Sequence, residues 1–182
     1  MNARKILSSI LAVAMVFASV PVARGGSGDI AIFTETTAGE SIARGASLDL
    51  NWDSEYRNDG TAFGYSLGST AIDLNEPGHY MAIYNSRFDS AGGAERREIQ
   101  SQLILDAAGT PDPLSIGWSQ GFIRRQNGQN EAITAGGGIF EVSSASTLSL
   151  RSTRTDNEAN ALTRAASASG IQLLKLDDDW DY

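Results

Sequence analysis

The residues best suited to chemistry lie between positions 49 and 60. Four carboxylates fall in this stretch, at Asp49, Asp53, Glu55 and Asp59. Ca²⁺ binds about six to eight oxygen ligands, so one interpretation of the four is a calcium site, although their spacing differs from that of the helix–loop–helix calcium motif. A carboxylate pair for glycoside hydrolysis and a solvated acidic loop are the alternatives.

Aromatic side chains accompany these carboxylates. Trp52 and Tyr56 border the acidic stretch, and flat aromatic rings with a polar edge can stack on sugar faces. We therefore predict that Trp52 and Tyr56 bind a ligand. Trp118 falls on the same face of its predicted strand as Leu114 and Ile116, which predicts that it packs in the core.

Composition excludes several classes of function. The 182 residues include no cysteine, which excludes disulfides, thiolate metal sites and a cysteine nucleophile. The single histidine, His79, follows a Pro-Gly corner and has a structural role in this interpretation. A net charge of −8 opposes binding to nucleic acid. The glycines at 136–138 read as a turn or bulge, because no Lys-Ser/Thr of a phosphate loop follows them. These features predict a protein that is not an enzyme.

The first residues have the pattern of a secretory leader. Arg4 and Lys5 precede an apolar stretch that ends at Val20, and this stretch is shorter than the roughly 20 residues that span a bilayer. We predict a signal peptide over 1–18, with cleavage after Ala18 and at the latest after Ala23. The mature protein would be secreted, extracellular or bound at the cell surface, or periplasmic, without a membrane span. Export without cysteines is compatible with a bacterial product.

The predicted domain, residues 29–176, has an all-β rhythm in which short alternating apolar runs are separated by turn residues. The predicted strands are Ile30 to Thr34, Ser47 to Trp52, Ala62 to Leu67, Thr70 to Leu74, Tyr80 to Phe88, Glu98 to Leu105, Leu114 to Arg124, Ala132 to Val142, Thr147 to Thr155 and Gly170 to Leu176. The segment from 157 to 168 lacks an apolar stripe and is predicted to be a loop or one helical turn. An acidic aromatic tail follows at 177–182.

Four segments carry a family resemblance. Thr70–Tyr84 has an apolar strand, a Pro-Gly corner and an aromatic-rich strand, and the segments 99–109, 139–150 and 171–176 follow in the matching order. This order resembles the jelly-roll superfamily of the complement first-component globular head and tumour necrosis factor. The resemblance implies an all-β, two-sheet jelly-roll β-sandwich of about ten antiparallel strands.

The same resemblance implies a homotrimer. Members of this family bury apolar and aromatic side chains along the trimer axis, and Tyr80, Tyr84 and Phe122 are the predicted interface residues on that basis. Arginine pairs recur at 96–97 and 124–125. Arginine suits two-point contacts with carboxylates, so these pairs are predicted to bridge subunits, to bind an acidic sugar or to pair within their own chain.

The sequence therefore predicts a non-catalytic binding or structural module that assembles with itself and whose further partner is a glycan or a surface protein. No cofactor is expected apart from calcium in the interpretation given above. One alternative is a small outer-membrane β-barrel, suggested by the alternating strands, the leader and the terminal Tyr182. The other is a carbohydrate-binding or carbohydrate-processing protein that uses the Trp52–Asp59 segment.

Overall fold

The computed structural model describes residues 28–37, 39–90, 96–107, 109–124 and 130–176. The predicted signal peptide and the acidic tail lie outside these residues. All regular elements in the described part of the chain are strands. None of the described segments forms a helix that could span a membrane.

Thirteen strands form two antiparallel sheets. In chain order they are β1 (Ile30–Glu35), β2 (Ser41–Ile42), β3 (Ser47–Asp49), β4 (Ser54–Asp59), β5 (Phe63–Gly64), β6 (Ile72–Leu74), β7 (Gly78–Ser90), β8 (Arg96–Ala107), β9 (Thr110–Arg124), β10 (Glu131–Val142), β11 (Ser146–Arg154), β12 (Leu162–Arg164) and β13 (Ser169–Lys175). In the first sheet, β7 pairs with β10 along one side and with β13 and β12 along the other. From β13 the sheet continues to β1 and β4, and from β12 it continues to β2. The second has the order β5-β6-β11-β8-β9, with β3 also paired to β11.

Sequence alternation determines which side chains enter the space between the sheets. Along β7 and β11, buried and partly exposed residues alternate over almost the whole strand. Leu148 and Leu150 of β11 are fully buried, as are Ile99 and Leu103 of β8. Successive strand residues point to opposite sides of a sheet, so this pattern gives each sheet one inner and one outer face. The predicted two-sheet sandwich is confirmed.

Three predictions about local structure are wrong. The acidic stretch after Trp52 forms β4, which the sequence does not reveal because β4 lacks an alternating apolar pattern. The predicted loop or helical turn at 157–168 contains the short strand β12. The glycines at 136–138 lie inside β10 rather than at a turn, directly opposite residues 82–84 of β7.

The glycines of β10 are needed because other atoms occupy the space of their missing side chains. A Cβ atom at Gly137 would lie 2.3 Å from the carbonyl oxygen of Ala82, and one at Gly136 would lie 2.9 Å from the phenol oxygen of Tyr84. A Cβ atom at Gly138 would lie 2.8 Å from the side chain of Ile116 on β9. Glycine therefore lets β10 approach both β7 and β9 closely.

A layer of hydroxyl groups crosses the centre of the core. The Oγ atom of Ser101 lies 2.7 Å from Oγ1 of Thr134 and 2.8 Å from Oγ of Ser152, and all three residues are fully buried. The phenol of Tyr84 donates to the carbonyl oxygens of Ser101 and Gly117, each at 2.9 Å. These bonds connect the two sheets, and each hydroxyl is satisfied, as burial of polar groups requires.

The sandwich is closed along one side where β9 meets β10. No hydrogen-bonded ladder joins these strands among the described residues, yet they lie side by side. The amide of Ala135 donates to the Oγ atom of Ser119 at 2.9 Å, and a Cβ atom at Gly121 would lie 2.7 Å from the carbonyl oxygen of Ile133. Residues of β9 and β10 therefore share one edge of the molecule.

Candidate functional site

The two aromatic residues of the predicted ligand site lie in different environments. Trp52 is completely buried, so the prediction that it stacks on a ligand is wrong. Its indole ring packs in the hydrophobic core, and its backbone amide is held by the phenol oxygen of Tyr65, to which it donates at 3.0 Å. Tyr56, on β4, is 80% exposed. Tyr56 as a ligand-binding residue stays a prediction.

The four carboxylates of the predicted calcium site do not meet. The carboxylate of Asp49 forms an ion pair with Arg151 through two contacts of 2.6 and 2.8 Å, and that of Asp59 pairs with Arg57. Glu55 accepts a hydrogen bond from Asn58 at 3.3 Å.

The fourth carboxylate, that of Asp53, fastens the loop after β1. Its oxygens accept hydrogen bonds from the amides of Thr36 and Thr37, at 2.6 and 2.9 Å, and from both threonine hydroxyls. Burial opposes ionisation of Asp53, but these bonds together outweigh it and hold its pKa below the usual range. Among the described residues no three His, Asp or Glu side chains are arranged to hold a metal ion. The calcium interpretation of the four carboxylates is therefore wrong.

Two of the three predicted interface residues face inward. Tyr80 and Tyr84 alternate along β7 on the side that faces the second sheet, and both are buried within the single chain. They cannot contact another subunit, because β7 lies in the middle of its sheet and its inner face is covered. Phe122 lies on the outer side of β9 and is 58% exposed, so its role in an interface stays a prediction.

The exposed apolar side chains concentrate where β9 meets β10. Apart from Tyr56 and Leu67, the large exposed hydrophobic residues in the described part of the chain all lie there, and we call them the edge surface: Ile116, Trp118, Phe122 and Ile133. Large exposed apolar groups that lie together usually mark an interaction site. The edge surface is thus a candidate binding site.

The position of Trp118 contradicts the prediction that it packs in the core. Trp118 pairs with Gln102 on the outer side of its sheet and is 48% exposed. Its neighbour Gly117 points inward instead, and the space there is taken by Leu103, whose side chain would lie 2.7 Å from an added Cβ atom. A shift in register opposite Leu103 accompanies this arrangement.

A second apolar surface covers the outer side of the first sheet. Two rows of side chains cross the strands there in register, Ile30–Leu174–Met81–Ile139 and Ile32–Gln172–Ile83–Gly137. We call their six large apolar members the face surface: Ile30, Ile32, Met81, Ile83, Ile139 and Leu174. Each is only partly buried in the single chain. An outward apolar row across four strands is typical of a sheet that is covered by another partner.

A buried ionic cluster that no sequence pattern indicates lies at one end of the first sheet. Arg164, the last residue of β12, is fully buried. Its Nη1 atom lies 2.9 Å from the carboxylate of Glu35 and 2.6 Å from that of Glu40, and it donates to the carbonyl oxygen of Asn51 at 2.7 Å. Burial raises the pKa of Glu35, and the charge of Arg164 only partly offsets this. The cluster connects β12 with the chain at Glu35, Glu40 and Asn51, which is a structural role.

Comparisons with known proteins agree with this architecture. No protein-family model matches the chain, and no curated protein matches its sequence. Among solved structures, murine APRIL at pH 8.5 matches 82% of this chain and 100% of its own, with a TM-score of 0.57 and 9% identity. Murine APRIL at pH 8.0 gives 82% and 100%, with a TM-score of 0.58 and 11% identity. The Eiger TNF of S. frugiperda matches 86% of this chain and 97% of its own, with a TM-score of 0.58 and 14% identity.

Identities at this level establish the fold alone. The match covers nearly the whole of each of these chains. It therefore includes both sheets of the sandwich and not a single group of strands. The chain therefore has the jelly-roll fold of the tumour necrosis factor-like proteins, as the resemblance of its sequence predicted.

Proposed function

We propose that the mature chain is an exported, non-catalytic binding module that works as a homotrimer. The observation that carries this proposal is the presence of two different apolar surfaces on one chain. The edge surface is a ridge where β9 meets β10, and the face surface is the open side of the sheet that contains β1, β13 and β7. The tumour necrosis factor-like fold supports the same assembly.

Two different surfaces favour a ring. If the ridge of one copy packs on the open sheet of the next, each copy contributes one surface of each kind, and every contact is of the same type. Such head-to-tail contacts close into a ring when the rotation between copies allows it. Aromatic residues are enriched at the centre of protein interfaces, which suits Trp118 and Phe122 to this contact.

Measurement of the mass of the chain in solution tests the assembly. We expect the chain that starts at residue 19 to sediment as a trimer, and the variants Trp118→Ser, Phe122→Ser and Ile83→Ser to shift toward monomer. Leu67→Ser is the matched control, because Leu67 is also an exposed apolar residue (65%) but belongs to neither surface. Circular dichroism checks that each variant is folded. A wild-type chain that remains monomeric up to high micromolar concentration would contradict the proposal.

The cellular location and the ligand class form the remaining part of the proposal. We expect the protein outside the cytoplasm, with its first residue directly after Ala18 or Ala23. N-terminal sequencing of the exported form determines which of the two is the cleavage site.

The partner is a glycan or a surface protein. The exposed ring of Tyr56 is the aromatic residue of the acidic stretch that remains available to such a partner. A glycan array probed with the wild type and with Tyr56→Ala tests this, and equal binding by both proteins would remove Tyr56 from the site.

A further inference from the structure

We infer that Arg96 and Arg124 of one copy pair with Asp89 and Glu131 of the next copy, and that these ion pairs set the register of the assembly. The inference rests on the proposed function, since it requires two copies in contact. It concerns charged residues at the ends of the two apolar surfaces. Apolar contacts alone would not determine the register in which one copy lies against the next.

Arg96 and Arg124 lie directly opposite each other on β8 and β9. Both are exposed, and Phe122 of the edge surface lies two residues before Arg124, on the same side of the sheet. Like charges that face each other across two strands repel and destabilise the pair. Two arginines in this position thus favour a negatively charged partner.

That partner does not come from the described part of the same chain. Among the lysine and arginine side chains there, Arg96 and Arg124 are the two that form neither an ion pair nor a hydrogen bond with another described residue. The nearest acidic group along β8, Glu98, already accepts hydrogen bonds from Thr155, at 2.6 Å, and from Gln120. The positive charges of Arg96 and Arg124 are therefore not neutralised by an ion pair within the described part of the chain.

An acidic group with too little positive charge lies at one end of the first sheet. Asp89 of β7 and Glu131 of β10 face each other in register, and their side chains are 44% and 55% exposed. Both pair with the single guanidinium of Arg87, at 3.3 and 2.6 Å. One positive charge between two carboxylates leaves a net negative charge beside the face surface.

The basic and acidic groups lie at the same end of the sandwich. Gly121 of β9 lies against Ile133 of β10, so Arg124, three residues beyond Gly121, is level with the region of Glu131, two residues before Ile133. A rotation about an axis that runs along β7 keeps every residue at its level. In such a ring the basic end of one edge surface meets the acidic end of the neighbouring face surface, and the apolar residues meet each other as well.

Charge reversal tests these pairs by sedimentation at low ionic strength. We expect the double variant R96E/R124E and the double variant D89K/E131K each to weaken association at least about tenfold, because each places like charges across the contact. The fourfold variant, which exchanges the signs of both groups, restores complementarity and should return association to within about threefold of the wild type. High salt should reduce all these differences.

The controls separate this inference from the proposed function. Asp73→Lys reverses an exposed charge on β6, away from both surfaces, and should leave association unchanged. D89N/E131Q replaces D89K/E131K if the lysines disturb Arg87 and circular dichroism shows loss of structure. A monomeric wild type would overturn both proposals. A trimeric wild type whose charge variants associate normally, or whose fourfold variant is not rescued, would overturn the ion pairs alone.

Discussion

The guanidinium of Arg164 lies over the indole ring of Trp52, 4.7 Å from its centre, in the closed interior of the sandwich. The same guanidinium binds Glu35 and Glu40. A cation above an aromatic face is attracted by the negative centre of the ring, and more strongly where water is absent. Trp52, predicted as a platform for a ligand, thus serves as a platform for a buried cation of its own chain.

Replacement of Arg164 by Met should be strongly destabilising. The substitution leaves the carboxylates of Glu35 and Glu40 without their cation, and loss of one partner of a buried ion pair typically costs about 3 to 5 kcal/mol. Urea unfolding at neutral pH measures the loss. Adding Glu35→Gln to Arg164→Met should recover part of it, since one of the two uncompensated charges is then gone. A double variant no more stable than Arg164→Met would contradict the proposed coupling.

Asp156 should contribute to stability at neutral pH and lose this contribution in acid. Burial opposes its ionisation, but hydrogen bonds from Arg154 and from the amides of Glu98 and Glu158 outweigh it and lower the pKa of Asp156 to about 2. A carboxyl group with a lowered pKa stabilises the folded state above its ordinary value of 3.8, and this contribution disappears as the pH falls toward about 2.

We therefore expect Asp156→Asn to lower the free energy of unfolding by about 2 kcal/mol at pH 7. The wild type and the variant should converge between about pH 4 and pH 2, as chemical denaturation at a series of pH values would show. Asp73→Asn, on an exposed strand position, is the matched control. An equal difference at every pH would mean that the effect does not come from the charge of Asp156.

Tyr84 should keep its proton to unusually high pH. Burial raises the pKa of its phenol to about 12, although a hydrogen bond with Ser119 acts in the opposite direction. Because the folded pKa lies above the ordinary value of 10, the protonated phenol stabilises the folded state up to about pH 10, and this contribution is lost between pH 10 and 12. Burial also raises the pKa values of Tyr65 and Tyr80, so more than one phenol should titrate late. Ultraviolet titration should show one late-titrating phenol fewer in Tyr84→Phe than in the wild type, and an equal number in both proteins would contradict the buried position of Tyr84.

Substitution of Gly136 by Ala should destabilise the fold through Tyr84. The added methyl group would lie 2.9 Å from the phenol oxygen, so Tyr84 must move and weaken its bonds to Ser101 and Gly117. Overpacking of this kind costs about 1 to 3 kcal/mol. Thermal unfolding of the single and double variants with Tyr84→Phe tests the cause. The cost of Gly136→Ala should be smaller when the phenol oxygen is absent, and an unchanged cost would place the clash elsewhere.

Alternation of apolar residues predicts most of the sandwich because it is a local property of each strand. It identifies β7, β8 and β11 within about two residues of their ends. It fails for β4, whose side chains are mostly exposed on both sides. It also fails for the direction of Trp118, because the inward position before it is Gly117, and the space there is filled by Leu103 of a neighbouring strand.

The ionic contacts could not be predicted in this way. Arg164 meets Glu40 across 124 positions of the chain, and nothing around Arg164 in the sequence distinguishes it from an exposed arginine. The carboxylates of the acidic stretch form independent contacts, because Glu55 and Asp59 pair within β4 while Asp53, before this strand, binds the loop after β1. The sequence shows which residues are charged. Which of them pair with one another depends on the whole fold, because the partners come from distant strands.

The contact between β9 and β10 also changes what this border of the sheets offers to other extended chains. A strand at the border of a sheet normally offers a row of free amides and carbonyls to any extended chain, which is a route to fibrils. Here Ser119 accepts the amide of Ala135, and Gly121 lies against the carbonyl of Ile133. At these two points the backbone of the border is covered, so a neighbouring molecule meets side chains there rather than free amides and carbonyls.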